Sequence, residues 1–283
     1  MPELPSDLGT QVEAALAEDI GGGDVTAALV PAAQRVRGRV ITREAAVLCG
    51  RAWVEETFRR LSSAVQLTWQ AADGDPLSAG QVIFEIAGPA RAVLSGERTA
   101  LNFLQLLSGT ATTTRAYVEA VAGTGCRILD TRKTVPGLRT AQKYAVRCGG
   151  GDNHRLGLFD QILIKENHIA AAGSITAAIQ AARRSAPALR VEVEVESLGE
   201  LEEALAAHPD IVMLDEFTLA DMRAAVALNR ARGAPLKLEA SGSVSLESIR
   251  AIAATGVDYI SVGSLTKHVR AIDLSMRLEF GGR

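Results

Sequence analysis

Positively charged side chains crowd one apolar stretch of the chain, residues 149–169. The stretch reads GGGDNHRLGLFDQILIKENHI, and its middle, residues 161–165, has the composition of a buried strand. The basic side chains at its two ends are His154, Arg155, Lys165 and His168. An ammonium or guanidinium group beside a protein core needs an anionic partner, because burial without one is costly. The stretch therefore predicts a site that binds an anion.

Polar residues also follow other short β-rich runs of the sequence. Cations follow RILD, and carboxylates lie within VEVEV and after IVML. Carboxylates at strand ends can stabilise developing positive charge, but they can equally cap helices or pair across a barrel, and Asp215 could be the N-cap of the next helix. The residues are Thr131, Arg132, Lys133, Glu192, Glu194, Glu196, Asp215 and Glu216.

Two loops of small residues complete the set. They are residues 241–243, Ser241, Gly242 and Ser243, and the pair Gly263 and Ser264. Backbone N–H groups at helix starts hold phosphate, and loops late in an α/β barrel commonly do so, although such loops can also be simple turns. No Gly-rich phosphate-binding motif of the G-x-x-x-x-G-K-[ST] type and no His/Cys metal motif is present. Mg²⁺ could still bind Glu194 and Asp215 through water and ligand oxygens.

The elements that must position these residues alternate regularly. From Val191 onward, VEVEV, IVML, LKLEA and YISVG are each followed by a helical pattern. Together with RILD and QILIK they predict a parallel α/β barrel of the TIM type, or a slightly incomplete one, with its reactive groups at the C-terminal strand ends. The first hundred residues lack this rhythm and predict a separate α+β domain. A joining helix is expected over residues 95–107, with Ser95 as N-cap and Arg98 in the first turn, where the macrodipole disfavours a cation.

Composition limits the classes of function. The 283 residues are 47% hydrophobic and 22% charged, which indicates a folded globular protein, and the net charge of -3 argues against nucleic-acid binding. No apolar run is long enough to span a membrane, and the acidic start lacks signal-peptide features, so we expect a cytoplasmic protein without membrane contact. Cys49, Cys126 and Cys148 are far apart and are expected to be reduced and structural, with a reactive Cys148 as the alternative.

Several motifs together resemble the quinolinate phosphoribosyltransferases. The resemblance covers nearly the whole chain, including EDIGGGDVT near the start. Its most specific part runs through the central block. The motifs are GERTALNFLQLLSGTAT from Gly96, LDTRKTVPGLR from Leu129, KYAVRCGGGDNHRLGLFDQILIKENHI from Lys143, VEVEVES, MLDEF, LEASGSV and ISVGSLTKHVRAIDLSM.

The resemblance implies a fold and a reaction. The fold is the type II phosphoribosyltransferase fold: an N-terminal α/β sandwich domain, residues 1–107 completed by 274–283, and a seven-stranded α/β barrel, residues 108–273. The reaction joins quinolinate to phosphoribosyl pyrophosphate with Mg²⁺, giving nicotinate mononucleotide, pyrophosphate and CO₂ in de novo NAD biosynthesis. A homodimer with a shared active site is implied.

The resemblance also implies roles for residues. Quinolinate carboxylates meet Arg132, His154, Arg155 and Lys165, with Thr131 in the same turn as Arg132 and with Arg98 arriving from the partner subunit. Lys133 and Lys165 face phosphoribosyl pyrophosphate, and Glu194 and Asp215 face its ribose and the metal. The catalytic residues are then Lys133, Lys165, Glu194 and Asp215. The 5'-phosphate is bound by Ser241, Gly242, Ser243, Val262, Gly263 and Ser264.

Three other functions stay open from the residues themselves. Lys165 at a barrel strand end could form a Schiff base with a carbonyl substrate. The chain could instead bind a phosphorylated metabolite without turning it over, or transfer phosphoribose to another acidic heterocycle. The Arg/His cage and the two carboxylate strands argue against the Schiff base, and residues suited to bond breaking argue against a mere binder.

Overall fold

A computed structural model describes residues 2–233 and 236–280. The helices are α1 Leu8–Ile20, α2 Arg51–Leu61, α3 Ala90–Ala120, α4 Arg139–Cys148, α5 Glu166–Ala172, α6 Ile175–Ser185, α7 Leu198–Ala207, α8 Leu219–Ala231, α9 Ile249–Ala253 and α10 Ser264–Lys267, with a 3₁₀ turn at Ala27–Leu29. The strands are β1 Arg35–Thr42, β2 Ala46–Val47, β3 Gln66–Trp69, β4 Pro76–Leu77, β5 Val82–Pro89, β6 Arg127–Leu129, β7 Ile162–Ile164, β8 Val191–Val195, β9 Ile211–Asp215, β10 Lys237–Ser241, β11 Tyr259–Ser261 and β12 Leu274–Phe280.

The chain divides into two compact units, each assembled from separate segments. The first comprises Met1–Arg115, Thr134–Gly150 and Ser264–Arg283, and the second comprises Ala116–Lys133 and Gly151–Gly263. These units differ from the predicted boundary at residue 107, because Tyr144 and Ala145 of α4 are buried in the same cluster as Trp53 and Leu107. The domain boundaries read from the sequence stay a prediction.

The first unit contains an antiparallel sheet in the order β12-β1-β5-β3. Strand β12 pairs with β1 along its length, from Val36 opposite Phe280 to Thr42 opposite Leu274, so a late segment of the chain closes this sheet. Phe84, Ile86 and Phe58 are fully buried in its core. The antiparallel sheet and the packed helices agree with the predicted α+β character of the early sequence.

Helix α3 is much longer than the sequence pattern indicated. It spans 31 residues from Ala90 to Ala120, so the predicted N-cap at Ser95 is wrong, and the Ser95 hydroxyl instead donates to Asp24 Oδ2. Arg98 consequently lies in the third turn, and the macrodipole argument does not apply to it. The helix continues past Leu107 through a buried stretch, where the hydroxyls of Thr112 and Thr114 are satisfied by donating to the carbonyls of Ser108 and Thr110.

The second unit contains a parallel sheet in the order β6-β11-β10-β9-β8-β7, each strand followed by a helix or a turn. Six of the seven predicted strands are therefore present among the described residues, and Asp152 makes a single parallel bridge to Leu129 beside β6. The predicted α/β architecture is confirmed. A right-handed βα succession of this kind places the strand ends, and the polar residues on them, at one edge.

Side-chain contacts show that this parallel sheet is strongly curved. His154 follows the Asp152 bridge, and in a flat sheet it would lie five strand spacings, about 24 Å, from β8. Its Nε2 atom nevertheless lies 2.8 Å from Oε2 of Glu192, a β8 residue. The sheet therefore curls into a barrel, and both side chains lie in its interior. No helix in the described ranges is both long and apolar enough to cross a membrane.

Candidate active site

Parallel register brings the predicted residues of β7 to β10 to one end of the barrel. Ile164 is paired with Val193, so the next residues, Lys165 and Glu194, follow side by side. On the other side of β8, Asp215 at the end of β9 is paired with Ser241 at the end of β10. These positions were predicted from the alternation of strands and helices alone.

Lys165 and Glu194 form an ion pair with a direct hydrogen bond from Nζ to Oε2. The Glu194 side chain is 8% exposed and Lys165 is 42% exposed, so the carboxylate lies in the barrel and the ammonium group reaches solvent. The backbone N–H of Lys165 donates to His168 Nδ1, which caps helix α5. His168, which the sequence placed beside the anion site, thus has a structural role at a helix start.

Arg132 and Arg155 are two guanidinium groups that repel each other. Burial lowers the pKa of Arg155, and the positive charge of Arg132 lowers it further, although Glu192 and Asp160 act in the opposite direction. The Arg132 Nε atom is buried and has no hydrogen-bond partner in the part of the chain that the structure describes. A buried donor without a partner beside a second cation is what a site for an anionic ligand presents.

Thr131, Lys133 and Gly263 meet at another point of the barrel end. The Thr131 hydroxyl accepts the backbone N–H of Lys133 at 3.0 Å, which forms the turn after β6. A Cβ atom at Gly263 would lie 3.1 Å from Lys133 Cδ and 3.6 Å from Thr131 Oγ1. Glycine at position 263 therefore leaves room for the Lys133 side chain beside the loop that follows β11.

The backbone beside Asp215 is strained. Glu216 has a φ of 51°, which a non-glycine residue rarely adopts, and Gly242 has a φ of 131° with the Glu216 carboxylate about 3.0 Å from the position of a Cβ. Thr218, whose hydroxyl accepts the Asp221 N–H, is the N-cap of α8, so Asp215 is not that cap. Asp215 therefore does not cap helix α8. Backbone strain of the kind seen at Glu216 and Gly242 is common at functional sites.

The two small-residue loops lead into different structures. Residues 241–243 do not open a helix, since a turn intervenes and α9 begins only at Ile249. Gly263 and Ser264 lead directly into the four-residue helix α10, and the Val262 N–H is already used by the Leu129 carbonyl. The expectation that both loops are helix starts is wrong for the first, and their phosphate-binding role stays a prediction.

The His154 side chain lies deeper inside the barrel than the ends of the strands. Its ring Nδ1 accepts the backbone N–H of Arg155 at 2.8 Å, and its Nε2 lies 2.8 Å from Glu192 Oε2. The side chain is 8% exposed, and Asp130 Oδ1 accepts the His154 backbone N–H. The contact between His154 and quinolinate stays a prediction. The groups that contact His154 in the structure are all groups of the protein itself.

Glu239 and Gln161 take part in this arrangement and were missed as functional residues by sequence reasoning. Glu239 is fully buried on β10, and Gln161 Nε2 donates to Glu192 Oε2 at 2.6 Å. The signal was available, because LKLEA has a glutamate in an apolar strand as VEVEV does. Arg98 and Ser264 belong to the other compact unit, and their predicted roles stay predictions.

The described residues offer two groups that could each supply three metal ligands. One is Cys49, Asp73 and Cys148, and the other is His154, Glu192 and Glu239. Neither group contains Glu194 or Asp215. The three cysteines are free, and burial raises the pKa of Cys49 and brings that of Cys126 to about 12, so these two thiols are poorly reactive.

A curved parallel α/β barrel with guanidinium, ammonium and carboxylate groups at its strand ends defines an enzyme class that acts on anionic substrates. Comparison with known families makes this specific. Residues 24–108 match the quinolinate phosphoribosyl transferase N-terminal domain, and residues 110–277 match the C-terminal domain of the same family. The chain belongs to the quinolinate phosphoribosyl transferase family.

Individual relatives agree with the family match. The chain is 46% identical to a probable nicotinate-nucleotide pyrophosphorylase (carboxylating) of Bacillus subtilis, over 92% of this chain and 89% of the relative. It is 44% identical to the nicotinate-nucleotide pyrophosphorylase (carboxylating) of Mycobacterium leprae, over 94% and 95%. The solved nicotinate-nucleotide pyrophosphorylase of Francisella tularensis superposes with a TM-score of 0.94 at 49% identity and 98% coverage of both chains.

Proposed function

We propose that this chain catalyses the transfer of phosphoribose from phosphoribosyl pyrophosphate to quinolinate, yielding nicotinate mononucleotide, pyrophosphate and CO₂ for NAD biosynthesis. The family match and the names of the relatives support this activity. The observation within the barrel that supports it best is the pair Arg132 and Arg155, two neighbouring guanidinium groups with a buried donor that no side chain of residues 2–233 or 236–280 satisfies.

Quinolinate suits this pair because it carries two adjacent carboxylates on a pyridine ring. A guanidinium group binds a carboxylate through two parallel hydrogen bonds, and a dianion offsets the repulsion between Arg132 and Arg155. Lys165 adds a third cation, which its ion pair with Glu194 holds at the barrel end. We assign quinolinate to Arg132, Arg155 and Lys165.

Ribosyl transfer needs stabilisation of positive charge. As the pyridine nitrogen forms its bond to ribose C1 and the bond from C1 to the pyrophosphate oxygen breaks, the sugar becomes cationic. Carboxylates such as Glu194 and Asp215 stabilise that charge, and Lys133 stabilises the departing pyrophosphate. Positioning and electrostatics are sufficient for this reaction, without a covalent enzyme intermediate.

Decarboxylation is assigned to the step after ribosyl transfer. Once the ring nitrogen carries ribose it is cationic, so it can accept the electron pair left on C2 when the C2 carboxylate departs as CO₂. A proton then adds to C2 and gives nicotinate mononucleotide. Release of CO₂ from quinolinate without a phosphoribosyl donor would contradict this order.

Mg²⁺ is proposed as the metal that accompanies phosphoribosyl pyrophosphate. Glu194 and Asp215 do not form a three-ligand group within the described chain, which fits a cation that takes one or two carboxylates and otherwise binds substrate oxygens. When bound, Mg²⁺ neutralises charge on the leaving pyrophosphate.

The setting of the enzyme is also a proposal. We infer that it works in the reducing cytoplasm as a homodimer in which Arg98 of one subunit completes the site of the other. The three unpaired cysteines are consistent with a reducing compartment. Loops 241–243 and 262–264 are assigned to the 5'-phosphate.

The test is product formation. The purified protein is mixed with phosphoribosyl pyrophosphate, Mg²⁺ and either quinolinate or nicotinate, and nicotinate mononucleotide and pyrophosphate are followed by chromatography. Product from quinolinate alone is expected. Product from nicotinate, or pyrophosphate release with another acidic heterocycle at a higher rate, would contradict the assignment, and binding without turnover would indicate a carrier protein.

A further inference from the structure

The loop between Arg155 and strand β7 carries two large apolar side chains on its surface. Residues 156–160 read LGLFD, and Leu158 and Phe159 are 75% and 72% exposed. Burial of these two side chains therefore contributes little to the conformation of the loop. The conformation still matters for the candidate site, because the loop begins directly after Arg155. Polar contacts must hold the loop instead.

The Asp160 carboxylate supplies these contacts. Its Oδ2 atom accepts the backbone N–H of Leu156 at 2.7 Å, and its Oδ1 atom accepts that of Gly157 at 2.9 Å. One side chain thus binds the backbone four and three residues earlier, and both of its oxygens tie the end of the loop to its start. Hydrogen bonds to a carboxylate are stronger than those between neutral groups. Asp160 therefore holds the 156–160 loop closed.

Closure of the loop brings the Gln161 carbonyl to the Arg155 guanidinium group. This carbonyl accepts Arg155 Nη1 at 3.4 Å. Gln161 is itself fixed on the barrel, because its side-chain amide donates to Glu192 Oε2 at 2.6 Å and the next residue, Ile162, begins β7. The place of Gln161 is thus set by the sheet, and the five-residue loop decides whether Arg155 reaches it.

Asp160 also acts on Arg155 through its charge. Burial lowers the pKa of the Arg155 guanidinium group, as does the charge of Arg132, while Glu192 and Asp160 raise it. The carboxylate that holds the loop therefore also favours the charged form of the arginine at its start.

We propose that Asp160 is a positioning residue for Arg155: by holding the 156–160 loop closed, it keeps the guanidinium group beside the Gln161 carbonyl, in the orientation that binds a carboxylate of quinolinate. The inference deepens the proposed function and rests on it. The alternative is that Asp160 acts only as a counter-charge for Arg155. Both carboxylate oxygens accept backbone N–H groups of the loop, which favours the positioning role.

Hydrogen exchange of the free protein tests the closed loop without reference to activity. In Asp160→Ala the amides of Leu156 and Gly157 lose their acceptor, so peptides that span them should take up about two more deuterons at early times, measured by mass spectrometry. Asp160 is exposed, so its replacement should leave the barrel folded. Unchanged uptake in Asp160→Ala would overturn the proposal.

Asp75→Ala is the matched control for Asp160→Ala. The Asp75 Oδ2 atom accepts the Ala72 N–H at 2.8 Å, so it makes the same kind of contact in an exposed turn of the first unit. This variant should leave hydrogen exchange at Leu156 and Gly157 unchanged.

Steady-state kinetics test the positioning role. Asp160→Ala is expected to raise the KM for quinolinate about five- to tenfold, the size of one lost hydrogen bond, with kcat and the KM for phosphoribosyl pyrophosphate within about twofold of wild type. Asp160→Asn has no charge but keeps one oxygen for the loop, so its KM should rise less. Equal effects of the two variants would indicate a counter-charge alone and contradict the proposal. Asp75→Ala should match wild type.

Combination with Arg155→Lys shows whether Asp160 acts through Arg155. The lysine variant lacks the guanidinium group that the Gln161 carbonyl contacts. Asp160→Ala should therefore add less than about twofold to the KM for quinolinate in that background. Full additivity of the two substitutions would overturn the proposal.

The readouts separate this proposal from the proposed function. If the wild-type protein does not turn over quinolinate, the proposed function fails, yet hydrogen exchange still decides whether Asp160 holds the loop. If quinolinate is turned over, faster exchange in Asp160→Ala with an unchanged KM would show that the loop does not position Arg155. If Asp160→Ala does not fold, Asp160→Asn is used for the same measurements, with smaller expected changes in the same direction.

Discussion

Arg132 and Arg155 lie close enough for the charge of one to affect the pKa of the other, and no described side chain satisfies Arg132 Nε. Glu192 and Asp160 offset part of the repulsion between the two guanidinium groups, and the negative charge of a ligand would offset more. Substrate binding should therefore depend on the guanidinium groups themselves and not only on their positive charge. The third cation, Lys165, is held at the barrel end by its ion pair with Glu194.

Replacement of either arginine by lysine should raise the KM for quinolinate. Arg132→Lys and Arg155→Lys keep the charge but lose the planar fork that binds a carboxylate through two hydrogen bonds. The expected increase is at least about tenfold per variant, since a charge-assisted hydrogen bond contributes about 1.5 to 3 kcal/mol. Arg184→Lys, an exposed arginine of α6, is the control. A KM within twofold of wild type for both site variants would remove the guanidinium pair from the substrate site.

The stability of the protein should depend on pH through Glu239. In the folded protein its pKa is about 8, because of burial and of the negative charge of Glu192, whereas the ordinary pKa of a glutamate, expected in the unfolded chain, is 4.5. Between these values the folded state binds more protons than the unfolded state, so this group makes unfolding easier as the pH rises. Urea unfolding from pH 5 to 8 should show wild type losing stability relative to Glu239→Gln. A constant difference across that range would mean that Glu239 is ionised throughout.

At the scale of elements, close packing between helices governs tolerance to substitution in the first unit. Gly149 follows α4, and a Cβ atom at this position would lie 2.6 Å from the Ala111 carbonyl oxygen and 2.6 Å from Thr114 Cβ, both in α3. The backbone of α3 cannot shift cheaply, because Ala111 and Thr114 are fully buried. Glycine is therefore required by space at this position, with a φ of -71°.

Gly149→Ala should lower the free energy of unfolding by about 1 to 3 kcal/mol through overpacking. Gly22→Ala is the control, since a Cβ there meets nothing within 4 Å and its φ is not positive. Chemical denaturation of the three proteins gives the comparison. Equal midpoints for Gly149→Ala and Gly22→Ala would show that α3 and α4 adjust without cost.

The sequence predicted strands better than helix ends. The six β-rich runs of the barrel were recognised because each is short, apolar and followed by a helical pattern, and parallel pairing then places Lys165 beside Glu194. The start of α3 was missed because Ser95 imitates an N-cap, whereas its hydroxyl has a partner far away in sequence, Asp24. Local pattern also could not show that His154 and Glu192 meet, since barrel curvature creates that contact.

At the scale of the whole molecule, the proposed homodimer makes a prediction about mixtures. Arg98→Ala and Lys165→Ala chains should each be nearly inactive, because the proposed site takes Arg98 from one subunit and Lys165 from the other. When equal amounts are unfolded and refolded together, half of the dimers are mixed, and each mixed dimer has one intact site. Activity should recover to about a quarter of wild type.

Mixing Lys165→Ala with Glu194→Ala is the matched control for this complementation. Both residues lie in one barrel, so no mixed dimer has an intact site, and activity should not recover. Recovery in the control, or none with Arg98→Ala, would contradict the shared site.

The pairing of β12 with β1 has a consequence for biosynthesis. Strand β1 ends at Thr42, and its hydrogen-bonding partner begins only at Leu274. At the usual rate of translation, roughly 10 to 50 seconds pass between the synthesis of the two strands. During that interval one edge of β1 presents unpaired N–H and C=O groups while the barrel segments are already being made. A growing polypeptide of this protein should therefore depend on chaperones until β12 emerges from the ribosome.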